Sequence, residues 1–504
     1  MSAVRVEPEA SEMTPPAPLW ATADACLRCT TCLSVCPALE VYPHYAGPKR
    51  LGPDRWRQQV DAEGRFRTAL VEQDLDLCLG CRRCDQACPQ GVAPERLITR
   101  TRLQRPSYRR PLRYVPRDWL LGHADWLGKV GTTFAGLANP LLPTRPMRSL
   151  LQHGLGLSGQ RRLPAFARVR FSALPLARQR ATTAPAPAAG LLATPAAGED
   201  EQAVRSPAGN RYHTGGGLPG RGGNEPEVRD RVVYFPGCQV EYYEPELGER
   251  IVSLLEKLEV EVRIDRPACC GLPLVANGWT RAARRRAQEN VERLIGWVDA
   301  GYTILVTSPS CALTLQTDYL DLSLLPPSLI DAGRRLSSHL LELGDYLLRW
   351  ERVHGGRLMP TGAAEGAGLR GTAETAGVEP ARQRPAAEVP ELAYHTPCHG
   401  WSEKEGRPWL QLLRRLPNVR VIDLSAGCCG IAGTYGLKQE KYAASLQIGS
   451  PLQQSLSRWA RPLVATECET CRLQIAHLTP PAVVRHPLYW LGDLEFKETA
   501  QDEA

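Results

Sequence analysis

The sequence contains no run of 18 or more apolar residues, so no segment reads as a membrane-spanning helix. Its first residues, Met1-Ser2-Ala3-Val4-Arg5-Val6-Glu7-Pro8-Glu9, have neither the basic start nor the apolar stretch of a secretory signal. A chain that stays in the reducing cytoplasm is expected. No Walker A run, no H-E-x-x-H and no G-x-S-x-G elbow occurs, so these three hydrolytic chemistries lack a candidate site. One G-x-G-x-x-G match is Gly215-Gly216-Gly217-Leu218-Pro219-Gly220. It follows no strand, and proline stands where a helix should open, so it is rejected as a dinucleotide site. Lysine is scarce, with seven of the 61 basic residues, and the arginine, alanine and proline bias reads as composition rather than function.

What is abundant is cysteine. There are 17, an odd number that complete pairing into disulfides cannot use up. In a reducing compartment such a chain usually binds metal. A length of 504 residues allows about three domains. Two Gly/Pro-rich stretches, 181–230 and 355–390, cannot bury a core and read as disordered linkers. They separate three blocks: 18–180, 231–354 and 391–495.

The second and third blocks repeat each other. One runs through strand Val232-Val233-Tyr234-Phe235 to Cys238, a helix near 246–258 and strand Val260–Ile264. It then passes Cys269-Cys270-Gly271, a helix from about Thr280, and strand Thr303–Val306 before Cys311. The other runs through His395-Thr396-Pro397-Cys398, a helix near 406–416 and strand Val419–Leu424. It continues with Cys428-Cys429-Gly430, a helix near 437–448, strand Leu463–Thr466, and Cys468-x-x-Cys471. The spacings agree to within two residues, which marks an internal duplication. Alternating strands and helices imply parallel α/β units. Each cysteine follows a strand, at the carboxyl ends where open α/β sheets bind ligands.

The first block carries Cys26-x2-Cys29-x2-Cys32-x3-Cys36-Pro37 and, again, Cys78-x2-Cys81-x2-Cys84-x3-Cys88-Pro89. This is the run of bacterial two-cluster ferredoxins, in which the fourth cysteine ligates the other cluster. One [4Fe–4S] cubane should therefore take Cys26, Cys29, Cys32 and Cys88, and the other Cys78, Cys81, Cys84 and Cys36. Zinc is the alternative, disfavoured by two full runs that each end in Cys-Pro. The 41 residues between the runs and the helical flank 93–104 point to an α-helical ferredoxin domain, 18–104.

From Arg96 to Arg180 there are 17 basic residues against Asp118 and Asp125 alone. Such a stretch suits nucleic acid, an acidic partner or an anionic membrane surface. In 105–180, Trp119, Trp126 and Phe134 recur at helical spacing with Leu120, Leu127, Val130, Leu137 and Leu141. This pattern fits an amphipathic helix lying in a membrane interface, or one packed on its own protein with a solvated basic face. A membrane contact, and no nucleic acid, is expected. His123, within this stretch, receives no role.

The duplicated pattern C-x(n)-C-C-G-x(n)-C-x-x-C resembles the cysteine-rich CCG domain found in the B subunits of heterodisulfide reductases. That resemblance implies a non-cubane [4Fe–4S] assembly on Cys398, Cys428, Cys429, Cys468 and Cys471. The earlier copy keeps Cys238, Cys269, Cys270 and Cys311, with Thr314 in place of the fifth. A cluster, a zinc ion or no metal remain open there. Longer stretches are similar to the iron–sulfur C subunits of anaerobic glycerol-3-phosphate dehydrogenases. They are Gly47–Asp54, Cys269–Gly278, His395–His399, Cys428–Gly436 and Cys468–Ile475. The resemblance implies an electron-transfer subunit in the cytoplasm, attached to the inner face of the membrane. It would stand between flavoprotein subunits that oxidise sn-glycerol 3-phosphate and a menaquinone-type quinone. The flavin site is expected on a partner chain, since none is found here. A glycolate or lactate oxidase subunit and a non-catalytic membrane anchor are the rival readings. His395 and His399 flank Cys398, and either suits a hydrogen bond to a cluster sulfur, a proton relay, or packing alone. Gly430, Gly433 and Gly436 are expected to let backbone approach the cluster.

Overall fold

The structure is a computed structural model and describes residues 19–59, 73–104, 112–185, 230–265, 269–360, 389–400 and 407–498. The match of Gly215–Gly220 and most of both stretches read as linkers lie outside the described residues.

Apolar, β-branched runs such as Val232-Val233-Tyr234-Phe235 suit strands buried on both faces, as a parallel sheet requires. The first sheet holds β1 (Arg231–Phe235), β2 (Glu261–Ile264), β3 (Thr303–Val306) and β4 (Leu340–Glu342), in the order β2-β1-β3-β4. After β5 (Gly356–Pro360) comes the second sheet: β6 (Glu391–Tyr394), β7 (Arg420–Asp423), β8 (Leu463–Ala465) and β9 (Val483–Arg485). Its order is β7-β6-β8-β9. The pairings within both sheets are parallel, with Val232 opposite Val262 and Thr303, and Ala393 opposite Ile422 and Val464. The identical strand order is the duplication in three dimensions. The sequence pattern marks three strands per block; the fourth in each has three residues, too short for a period-2 pattern.

The helix Pro245–Lys257 opens with proline at its first position and Glu246 in its first turn, both favourable there. Helix Leu343–His354 is capped by the Glu342 carboxylate, which accepts from the Gly344 amide at 2.7 Å. The helix expected near 437–448 begins later, at Tyr442–Leu456, because 3-10 turns occupy Tyr435–Leu437 and Gln439–Lys441. One apolar core joins the two blocks, with Val232, Leu247 and Leu255 from the first and Leu392, Trp409 and Leu491 from the second.

The boundary drawn at 355 needs correction. Gly356–Pro360 is β5, paired antiparallel with β10 (Leu494–Glu498), which runs past the expected domain end at 495. Leu358 is fully buried, its amide donates to the Glu351 carboxylate, and Arg415 pairs with Glu351 and donates to the Leu358 carbonyl. Glycine and proline at the strand's two ends concealed it. At the start of 181–230 the chain is likewise ordered: Ala181 bridges to Ile264 and the Thr182 amide donates to the Ile264 carbonyl.

The ferredoxin-type region is helical among its described residues. Its elements are short, such as Thr31–Ser34, Pro37–Val41 and Arg83–Gln86, and Pro94–Gln104 is the longest. The Trp56 indole donates to the Leu97 carbonyl at 3.1 Å and the Thr101 hydroxyl at 3.2 Å, anchoring Arg55–Gln59 to that helix.

Gly430 also serves packing. Its φ is +91°, and a Cβ there would lie 2.1 Å from the Ser445 carbonyl oxygen of helix Tyr442–Leu456. A side chain would meet a backbone penalty of about 1–2 kcal/mol and an overlap penalty of about 1–3 kcal/mol. Gly430→Ala is expected to lower the thermal unfolding midpoint by several degrees, read by circular dichroism on the full chain.

Candidate functional site

Each ferredoxin-type run wraps its second cysteine in the same backbone. Arg28 (φ 59°) and Thr30 (φ 66°) flank Cys29; Gly80 (φ 72°) and Arg82 (φ 58°) flank Cys81. Non-glycine residues in this left-handed region are strained, and such strain concentrates at binding sites. Two arginines repeat as well. Arg57 donates to the Cys26 carbonyl at 2.9 Å, and Arg102 to the Cys78 carbonyl at 3.1 Å.

The folding of these loops sorts the eight cysteines into two groups. Burial raises the Cys32 thiol to about 11, and the neighbouring thiols of Cys26, Cys88 and Cys29 add to it. Cys26, Cys29, Cys32 and Cys88 line one cavity with Lys49 and Pro53. Burial pushes Cys78 up to about 12, with Glu95 next and Cys36 among its neighbours. Burial likewise raises Cys81, whose neighbours include Cys78 and Cys36, and Cys84, whose neighbours include Cys81 and Cys78. Thus Cys88 sits with the first run and Cys36 with the second. The first group reaches the surface, where Cys29 is exposed; Cys84 of the second is buried.

The five cysteines of the second block converge beyond the ends of β6, β7 and β8. The Cys429 and Cys471 sulfurs are 3.2 Å apart. Cys398 is hydrogen-bonded to Cys428, Cys428 to Cys429, and Cys471 to Cys468. Bonds from Cys428 and Cys471 hold the Cys429 thiol below its usual range, favouring the thiolate that metals bind. A buried ring nitrogen of His395 lies within 4.8 Å of the Cys429 and Cys471 sulfurs. Burial pushes this imidazole down to about 4.

In the first block Cys238, Cys269, Cys270 and Cys311 form a similar chain of thiol contacts. The Gly271 amide donates to Cys269 Sγ at 3.4 Å, as the Gly430 amide donates to Cys428 Sγ at 3.4 Å. Thr314 is fully buried, and its hydroxyl donates to the Ser310 carbonyl at 2.8 Å, back along its own helix. Soft thiolates in groups of four and five are the donor chemistry iron–sulfur clusters require.

The thiol groups adjoin one another. After burial itself, the Cys398 thiol is the strongest influence raising Cys81, and Cys428 also feels Cys81. His399 ties three parts of the chain at this point. Its Nε2–H donates to the Gly80 carbonyl at 3.1 Å, which fixes Nδ1 as acceptor from the Ser310 hydroxyl at 2.9 Å. Sequence reasoning left His395 and His399 equivalent; the structure turns His399 into a clip and His395 toward sulfur. It also missed Tyr42 and Tyr435, whose hydroxyls meet at 2.6 Å, and Glu469, bonded to Ser308 at 3.2 Å. Nothing local in the sequence marks such pairs.

The expected single amphipathic helix is broken into Val115–Gly122, Ala124–Thr133 and Ala135–Leu141, followed by Arg145–Leu155. Glycines pack inward: a Cβ on Gly128 would lie 2.3 Å from Tyr242, and one on Gly131 2.2 Å from Phe166. The large apolar residues point outward, with Trp126 48%, Phe134 60% and Leu137 63% exposed. Part of the basic charge is structural. Arg117 is buried on Asp118 and Glu440, and Arg161 on Gln474, Ser445 and the Gly436 carbonyl. Among the described residues no helix is long and apolar enough to cross a membrane.

Residues 22–92 match the family described as a 4Fe-4S dicluster domain, and 232–316 and 392–476 each match the cysteine-rich domain family. The chain is 23% identical over 460 residues to the B subunit of fumarate reductase (CoM/CoB) from Methanothermobacter marburgensis, covering 89% of this chain and 67% of that one. It is 26% identical over 214 residues to lactate utilization protein A of Geobacillus thermodenitrificans, covering 41% and 75%. Against the C subunit of anaerobic glycerol-3-phosphate dehydrogenase from Escherichia coli K12 it is 30% identical over 473 residues, 93% of this chain and 97% of that one. Cysteine groups, duplicated sheets and a match along nearly the whole length agree, and the chain belongs to the family of anaerobic glycerol-3-phosphate dehydrogenase C subunits, which are iron–sulfur electron-transfer subunits.

Proposed function

We propose that this chain takes electrons from a flavoprotein partner that oxidises sn-glycerol 3-phosphate to dihydroxyacetone phosphate, and delivers them to a menaquinone-type quinone at the membrane. The observation that carries this reading is the bond from His399, beside Cys398, to the Gly80 carbonyl, beside Cys81, at 3.1 Å, which sets the ferredoxin-type site against the second cysteine-rich block. Cys26, Cys29, Cys32 and Cys88 would hold one [4Fe–4S] cubane, and Cys78, Cys81, Cys84 and Cys36 the other. Cys398, Cys428, Cys429, Cys468 and Cys471 would hold a non-cubane [4Fe–4S]. When bound, these clusters supply one-electron carriage; the protein sets spacing, potential and docking. The surface position of Cys29 suits uptake from a partner, and the burial of Cys84 and Cys428 suits onward passage shielded from water. Arg57 and Arg102 hold positive charge beside the two anionic sites.

Cys238, Cys269, Cys270 and Cys311 would take a cluster or zinc, with Thr314 unable to supply a fifth thiolate. The match to the lactate utilization protein covers 41% of the chain against 93% for the glycerol phosphate relative, which favours the latter substrate.

The ligand sets are tested by exchanging the fourth cysteines. Cys88→Ser should remove or alter the cluster of Cys26, Cys29 and Cys32 and spare the other; Cys36→Ser should do the reverse. Iron analysis and EPR of anaerobically purified protein read this, and damage confined to each variant's own run would overturn the crossed assignment.

The outward apolar face, with Lys129 on the helix of Trp126 and Arg145 and Arg148 on the later helix Arg145–Leu155, supports peripheral attachment to an anionic membrane on its cytoplasmic side. A Trp126→Ser/Phe134→Ser/Leu137→Ser variant should sediment with phosphatidylglycerol vesicles at least about tenfold less than wild type, about 0.5 kcal/mol or more per lost side chain. Equal sedimentation would sink the membrane contact.

A further inference from the structure

The two cysteine-rich blocks act as internal controls for each other. Counted from Cys238 and Cys398, Tyr234 corresponds to Tyr394, and Phe235 to His395. Counted from Cys311 and Cys468, Thr314 corresponds to Cys471. The block with five cysteines therefore has histidine where the block with four has phenylalanine. Phe235 is buried in an apolar cluster that includes Cys270 and Cys311. His395 is 2% exposed, and its Nε2 has no hydrogen-bond partner.

Local structure fixes where the histidine goes. The His395 amide donates to the Ala465 carbonyl at 3.0 Å, extending the β6–β8 ladder by one residue. Side chains alternate along a strand, so Tyr394 and His395 face opposite ways. Tyr394 bonds Glu467 at 3.1 Å, while a His395 ring nitrogen lies within 4.8 Å of both Cys429 Sγ and Cys471 Sγ. Cys471 is the cysteine whose counterpart became Thr314. A buried ring with an unpaired nitrogen has a cost unless something polar fills that position, and among the described residues the metal-ligating atoms grouped with a His395 ring nitrogen are the two sulfurs.

We propose that His395 donates a ring N–H hydrogen bond to the sulfur of the iron–sulfur site at Cys429 and Cys471, and that this bond sets the site's reduction potential apart from that of the first block. The proposal rests on the reading that the second block holds a cluster. An N–H donor stabilises the more negative, reduced state, so its presence raises the potential. His395 is a positioning and tuning residue in this role.

The test uses full-length protein, purified without oxygen and labelled with 15N-histidine, with a redox titration followed by EPR. The wild-type signal of the second block should carry a weak 15N coupling. His395→Phe, which copies the first block, should abolish that coupling and move the midpoint to a more negative value. His395→Asn should restore part of the shift, and His399→Phe should leave the coupling in place. No histidine coupling in wild type, a coupling that survives His395→Phe, or an unchanged midpoint would overturn the proposal. A coupling of the size expected for nitrogen bound to iron would overturn it in favour of direct ligation. If no signal beyond the two ferredoxin-type clusters exists, while iron analysis gives about eight per chain, the underlying reading falls with it.

Discussion

Arg82→Ala is expected to destabilise the folded chain by about 3–5 kcal/mol, the usual result of stripping one partner from a buried ion pair. Arg82 lies between Cys81 and Cys84 and reaches out of the ferredoxin-type loop. Its guanidinium pairs with Asp318, approaches Glu95 at 3.4 Å, and donates to the Thr317 hydroxyl at 3.0 Å. The three side chains are 8%, 4% and 6% exposed for Arg82, Asp318 and Glu95. Removing the cation leaves two carboxylates buried and adjacent, with nearby Arg96 already engaged by Asp85 and Asp321. One of the two must then take up a proton or the contact must open. Urea unfolding of the full chain should show the loss. The paired variant Arg82→Met/Asp318→Leu should recover much of it, because an apolar pair avoids the desolvation cost. If Arg82→Ala unfolds like wild type, the pair does not hold the ferredoxin-type loop on the first block.

The division between what the sequence disclosed and what it hid follows the range of the interactions. Ligand spacing is local: Cys26 to Cys36 and Cys78 to Cys88 span eleven residues each, so their loops could be read directly. The duplication was legible because two copies of one pattern reinforce each other, including the place where Thr314 breaks it. Contacts between parts distant in sequence left no local trace. Arg82 meets Asp318 across 236 residues, and His399 meets Gly80 across 319. The helix stretch at 115–141 shows a subtler loss. Its apolar period was visible, yet the side that faces the protein is set by small residues, Gly128 and Gly131, which a hydrophobic pattern scores as neutral. β5 was missed because Gly-Arg-Leu-Met-Pro buries only the Leu358 and Pro360 side chains, and takes its order from β10, more than 130 residues away.

Cys398→Ala is expected to cut electron delivery while leaving electron uptake intact. Cys398 follows β6 and is the second-block thiol with the strongest influence on Cys81. It also begins the thiol chain through Cys428 to Cys429. Without it the second block keeps four cysteines, as the first block does, but loses the one that faces the ferredoxin-type site. Iron should fall by about four per chain if the cluster is lost. EPR signals of the two ferredoxin-type clusters should persist, because none of their eight proposed ligands changes. In a complex reconstituted with flavoprotein and vesicles, glycerol 3-phosphate should still reduce those two clusters. Quinone reduction should fall at least about a hundredfold, equivalent to about 2.7 kcal/mol or more on the barrier. The anchor reading makes the opposite demand: the variant would assemble with its partner and quinone reduction would be unaffected. The two outcomes differ in one rate under one condition. That rate decides whether the second block's thiols carry electrons or only shape the surface on which the partner docks.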